Sequence, residues 1–343
     1  MNVVTIKSVF EYEVCHYFST NIEIYSYANK IHYKDSQRRV NIQVPVGLLI
    51  TYLSSFRIIR RLLRLDKMNV LPVDNGVVIL YRGFGYIFSF HSNVLTKTIK
   101  LRNCRNVLHN AITRCSNGDI YFGEYGSNYD YKKVPIYVSK DNGESWKICF
   151  EFESREIRHI HGIFEDKYTN TLWICTGDTN NESKIIQTNF DFSLLQIIGS
   201  GSQDFRTCSI FFSNQYVYWN MDSHIDDSYS IVYNRSTGVV EKCFSFPGPV
   251  IFTKQFEDGY FMTSTSQEVG PSVKDNLVHV YLSTNFKEWT EVIKFEHDGF
   301  NKKFFKFGLV GFSLGPQTTN DFTLFCEAVR EYDGKVLLCS IRK

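Results

Sequence analysis

Apolar and polar positions alternate with a period of two through most of the chain. Phe10-Glu11-Tyr12-Glu13-Val14 and Asn21-Ile22-Glu23-Ile24-Tyr25 are early cases, and residues 2–44 read as strands in several pieces. Residues 46–66 break the rhythm. Arg57, Arg60, Arg61 and Arg64 recur at i, i+3, i+4 and i+7, while Leu49, Leu53, Phe56, Ile59 and Leu63 fill another face. That spacing predicts one inserted amphipathic helix with a solvated arginine stripe. From residue 68 the alternation resumes. The strands group at about 68–102, 107–152, 157–200, 205–246, 249–296 and 304–343.

One turn signal organises these groups. Ser139-Lys140-Asp141-Asn142-Gly143-Glu144-Ser145-Trp146 sits between two apolar runs, with Asp and Asn to bond nearby backbone and Gly143 to take a positive φ. Positions 187, 235 and 283 follow 139 at steps of 48. They begin Gln187-Thr188-Asn189-Phe190-Asp191, Arg235-Ser236-Thr237-Gly238 and Ser283-Thr284-Asn285-Phe286-Lys287-Glu288-Trp289. One step backwards lies His91-Ser92-Asn93. A repeat of this length holding four short strands predicts an all-β fold, a β-propeller of four-stranded blades in a single domain over 1–343. Residues 24–30 resemble the turn at 87–94, so the N-terminal piece reads as a first blade, giving seven, or as a closing strand only, giving six.

The octet 139–146 reads S-x-D-x-G-x-x-W and resembles the Asp-box (BNR) hairpin of sialidase-like propellers at all four defining positions. The resemblance implies that the turn joins the third and fourth strands of a blade. It does not extend to sialidase chemistry, which needs three arginines, a Tyr–Glu nucleophile pair, an Asp acid/base and an Arg-Ile-Pro motif. Phe56-Arg57-Ile58-Ile59 lacks the proline, and only Arg206 is placed for substrate, with Arg82 and Arg330 as weaker candidates. The segments Gly123-Glu124-Tyr125, Arg158-His159-Ile160-His161-Gly162 and Thr176-Gly177-Asp178 are instead similar to uncharacterised BNR-repeat proteins associated with bacterial surface-polysaccharide synthesis. That similarity implies a glycan context without naming a reaction.

Composition narrows the partners. Among 343 residues, 29 Phe and 21 Tyr suit pleated, half-buried strands, and a net charge of +2 gives no reason to expect a nucleic-acid partner. The nine cysteines are odd in number, scattered and without a C-x-x-C pair, as expected of reduced thiols. The N-terminus lacks the pattern of a secretion signal, and no apolar run is long enough to span a bilayer. A cytoplasmic protein is expected. Its sharper alternative adds peripheral contact with an inner membrane through Arg57, Arg60, Arg61 and Arg64.

If the repeated turns occupy one face, the ends of second strands and the starts of first strands meet on the other. Glu124, Tyr125, Asp178, Asp222, Glu268, His109, Arg158, His159, His161 and Arg206 fall there. As an enzyme on an acidic glycan, a hydrolase would use Glu124 and Asp178 as its carboxyl pair, with Asp222 and Glu268 opposite. A lyase would use His109 or His161 as base, with Arg206 neutralising a uronate carboxylate. Arg158, His159 and Tyr125 would bind substrate. The other readings are a non-catalytic propeller that binds glycan or protein, and a scaffold. His109, His161, Glu124 and Asp178 offer nitrogen and oxygen ligands, but no compact spacing supports them. Neither a metal nor another cofactor is expected.

Overall fold

A computed structural model describes residues 2–109 and 111–342. Its strands form seven antiparallel sheets of four, which are the blades of a seven-bladed β-propeller. Six follow chain order. The first of them comprises Val14–Phe18, Ile22–Tyr27, Lys30–Asp35 and Arg39–Gln43. The seventh takes Leu309–Phe312, Phe322–Glu327 and Lys335–Arg342 from the chain end and is completed by Val3–Phe10 from its beginning. Both N-terminal readings therefore hold at once: residues 14–43 are a whole blade and residues 3–10 close another. This pairing gives a terminal sheet edge a partner strand.

The chain packs as two compact units. The first comprises Met1–Lys67, Ser223–Ser230 and Cys243–Lys343; the second comprises Met68–Asp222 and Ile231–Lys242. Each has its own apolar core. Cys15, Met262, Val310, Phe322 and Leu337 are central in the first unit, and Ile136, Ile163, Leu172 and Ile174 in the second. Among the described residues, the nine cysteines form no disulfide.

The five turns spaced 48 apart all join third and fourth strands. At the best-formed one, the Ser139 Oγ accepts the Gly143 N–H at 2.8 Å and donates to Asp141 Oδ1 at 2.8 Å. Asp141 in turn accepts the Ser145 N–H at 2.9 Å. Gly143 has φ +90°, and the Trp146 ring meets Phe122 edge-on at 4.9 Å. The eroded copy at 283 keeps the same logic with Phe286 at φ +61°, its N–H held by the Ser283 Oγ at 2.9 Å. Residues 24–30 fall on a second-to-third turn instead and do not belong to the series.

The insert departs from expectation. It forms two short helices, α1 (Leu48–Leu53) and α2 (Arg57–Leu63), rather than one. The arginine stripe is not solvated. Arg57 grips Asp333 through Nε and Nη2 at 3.0 and 2.7 Å and also reaches Glu13 at 2.7 Å and Asp66 at 3.0 Å. Arg60 donates to the same Glu13 oxygen at 2.7 Å, and Arg61 pairs with Asp298 at 2.5 Å. Only Arg64 of the four is exposed. The residues turned to solvent are apolar: Leu48, Leu49, Tyr52, Phe56, Ile58, Leu62 and Leu63. The periodicity found two faces, and three carboxylates distant in sequence, Glu13, Asp298 and Asp333, reversed which of them is covered. Among the described residues, no helix is long and apolar enough to cross a membrane.

Candidate functional site

In the second unit, the ends of strands from neighbouring blades bring seven of the expected residues together. Strand His159–Asp166 carries His159 and His161 next to strand Thr171–Gly177, which Asp178 directly follows. The register between these strands slips between Ile160 and Gly162, so His161 is the extra residue of a β-bulge. Bulges re-aim side chains next to sites. Gly177 lets the chains close in: a Cβ there would sit 3.1 Å from both His161 Cε1 and Arg206 Cγ. A short 3-10 turn, Gln203–Phe205, then presents Arg206, and Asp222 follows strand Tyr216–Asn220.

Asp178 is the hub. Its Oδ1 lies 3.4 Å from His159 Nε2, 3.6 Å from His161 Nε2 and 3.4 Å from Arg206 Nη2. Its Oδ2 lies 3.7 Å from Arg158 Nη1. Its backbone carbonyl accepts from Gln203 Nε2 at 3.1 Å and Arg206 Nη1 at 3.3 Å. Arg206 also stands 3.5 Å from Asp222, whose other neighbour is the Cys208 thiol at 3.3 Å. The Tyr125 ring packs 4.3 Å from the His159 ring. His159, His161, Arg206 and Asp222 are buried, whereas Tyr125, Arg158 and Asp178 remain partly open, so the site has a floor and a mouth.

The protonation states follow from partners. His159 Nδ1 lies 2.9 Å from the Gly126 carbonyl and His161 Nδ1 lies 3.0 Å from the Thr207 carbonyl. A carbonyl only accepts, so both Nδ1 atoms carry hydrogen. Burial lowers the His161 pKa and favours the neutral ring. The Asp178 carboxylate stands between the Arg158 and Arg206 guanidiniums, which favour its ionised form. Burial likewise drives the Cys208 thiol upward, aided by Asp222.

The other three expected residues have settings of their own. Glu124 is buried, and its carboxylate accepts the N–H groups of Arg102 and Asn103 at 2.5 and 2.9 Å and the Tyr137 hydroxyl at 2.9 Å. It ties a loop to its blade. Glu268 belongs to the first unit, where it faces His224 at 3.3 Å. His109 lies half-buried in the loop before strand Thr113–Arg114. Sequence reasoning missed Cys208 and Glu182, which lies 3.8 Å from Arg158. Both follow motif residues closely, Cys208 two after Arg206 and Glu182 four after Asp178, which was the available signal.

The fold and site define a seven-bladed β-propeller carrying a cationic and imidazole cluster around one carboxylate. No protein-family model matches the sequence, and no curated protein matches it. Solved structures do. A chain of the mitotic checkpoint complex is similar over 97% of this chain and 93% of its own, with TM-score 0.58 and 9% identity. The AfRom2 CNH domain is similar over 98% and 99%, with TM-score 0.55 and 9% identity. Such low identity establishes the fold and nothing finer.

Proposed function

We propose that this chain is a recognition propeller that binds an acidic glycan at the cluster of Arg158, His159, His161, Asp178 and Arg206, without cleaving it. The observation that carries this reading is that its acids are already engaged. Glycoside hydrolysis needs one carboxyl whose pKa is raised so that it can donate a proton. Asp178 is held in its ionised form between the Arg158 and Arg206 guanidiniums, and Glu124 spends both oxygens on backbone and Tyr137. The mouth suits binding: the Arg158 guanidinium, held by Tyr131 beside Asp178 and Glu182, would meet an anionic group, with the Tyr125 ring as an apolar wall. The resemblance to surface-polysaccharide BNR proteins supports the glycan class, and the scattered cysteines without a disulfide support a cytoplasmic setting.

One observation favours a second reading. His161 is held neutral with hydrogen on Nδ1, the state a lyase base requires. Calorimetry with uronate-containing oligosaccharides, followed by ultraviolet detection of unsaturated products and a reducing-end assay, separates the two. Saturable binding without either product, weakened at least tenfold by Arg158→Met, supports recognition. An unsaturated product would install the lyase reading, new reducing ends would install the hydrolase, and no binding by any acidic glycan would remove the glycan assignment.

A further inference from the structure

We propose that His159, His161 and Asp178 together bind a divalent first-row metal ion, with zinc fitting the donor set best. The inference goes beyond glycan recognition and does not rest on it. Because each Nδ1 donates to a backbone carbonyl, a neutral ring keeps its lone pair on Nε2. The two Nε2 atoms lie 3.2 Å apart, and Asp178 Oδ1 is 3.4 and 3.6 Å from them. Two imidazole lone pairs and one carboxylate oxygen thus converge where neutral groups would repel.

The triangle has the right size for an ion. Zinc bonds nitrogen and oxygen at about 2.0–2.2 Å, which sets tetrahedral ligand separations of about 3.4 Å. An octahedral edge at the same bond length would be about 2.9 Å. The observed edges of 3.2, 3.4 and 3.6 Å match the tetrahedral case. A point about 2.1 Å from all three atoms lies slightly outside their plane, so an ion enters without moving a ligand.

The surroundings are also those of a metal site. The Gly126 and Thr207 carbonyls fix both imidazole tautomers, the usual outer-shell role around ligating histidines. Asp178 is partly exposed, so solvent reaches the donor set, and Arg206 Nη2 stands 3.4 Å from the same Oδ1. A three-ligand site with an open position takes a water or a ligand oxygen. The adjacent trio of His161, Cys208 and Asp222 is the poorer alternative. It would need His161 Nδ1, which Thr207 occupies, and Asp222 already accepts the Cys208 thiol.

A proton is the competing occupant: an imidazolium bridging His159 to His161 and Asp178 would give the same distances. Chelator-treated protein titrated with zinc in a calorimeter, and with cobalt(II) under visible absorption, distinguishes them. The expected result is one ion per chain and tetrahedral cobalt bands. Affinity should fall at least tenfold in His161→Ala and Asp178→Asn and stay unchanged in His279→Gln, whose Asp275–Glu291 setting lies in the other unit. Should the site variants not fold, X-ray absorption of zinc-loaded wild-type protein replaces them, with two imidazole nitrogens in the coordination shell expected. No stoichiometric uptake, uptake undiminished in both site variants, uptake lost only in His279→Gln, or a shell without imidazole would overturn the proposal.

Discussion

Replacing Arg60 by Met asks whether the arginines of the inserted helices face inward. The Arg60 side chain is 3% exposed; it donates to Glu13 at 2.7 Å and to the Ser54 carbonyl at 2.5 Å, and it lies 4.3 Å over the Tyr27 ring. Arg60→Met keeps most of the stem and deletes the charge. Glu13, also 3% exposed, would retain Arg57 at 2.7 Å and the Ala28 N–H at 2.9 Å. Breaking a buried ion pair costs about 3–5 kcal/mol, and the surviving partners place this case near about 3 kcal/mol. A solvated rim helix would lose less than about 1 kcal/mol. In urea, with a slope of about 2 kcal/mol per molar, the midpoint should fall by roughly 1.5 M. Exposed Arg64→Gln should stay within about 0.5 kcal/mol of wild type. An Arg60→Met midpoint indistinguishable from that of Arg64→Gln would refute the inward-facing arrangement.

Other substitutions and acid test separate parts of the account. Gly143→Ala combines a φ of +90° with a Cβ that would stand 2.3 Å from Val78 Cγ2, and should destabilise by about 2 kcal/mol or more; a thermal midpoint matching wild type would contradict this. Glu124→Ala strands the Arg102 and Asn103 N–H groups and the buried Tyr137 hydroxyl and should cost about 1–3 kcal/mol while ligand affinity at Asp178 changes less than threefold. Lost binding with full stability would return Glu124 to the site. Burial alone would raise the Asp333 carboxyl, but Arg57 holds it below its ordinary value. Its contribution to stability is therefore complete above the unfolded value, about 3.9, and is lost as pH falls through the lower folded value. Wild-type stability should drop more steeply below about pH 4 than that of Asp333→Asn, and parallel curves would contradict the assignment.

The blades were legible because both of their signals are local. Alternation marks strands one residue at a time, and the turn beginning at Ser139 repeats at a spacing that survives the loss of its own consensus at 187 and 235. The closing strand was ambiguous because pairing of residues 3–10 with 335–342 leaves no nearby trace. The helices failed for the same reason: Glu13, Asp298 and Asp333 decide which face is covered, and none lies within the insert. Within the site, the strand-end rule brought His159, His161, Asp178, Arg206 and Asp222 together correctly. It could not separate Asp178, with its partners in the cluster, from Glu124, whose partners are backbone N–H groups of Arg102 and Asn103. Composition carries no information about which donors a loop will aim at a carboxylate.

The most direct test of the site is the protonation of its two imidazoles. Nitrogen NMR of histidine-labelled protein in chelator-treated buffer, assigned with His159→Gln and His161→Gln, reads each ring nitrogen separately. The proposed metal site requires hydrogen on Nδ1 of both rings and a bare Nε2 facing Asp178 Oδ1. Hydrogen on Nε2 of either ring near neutral pH would mean that a proton already fills the space where the acceptors meet.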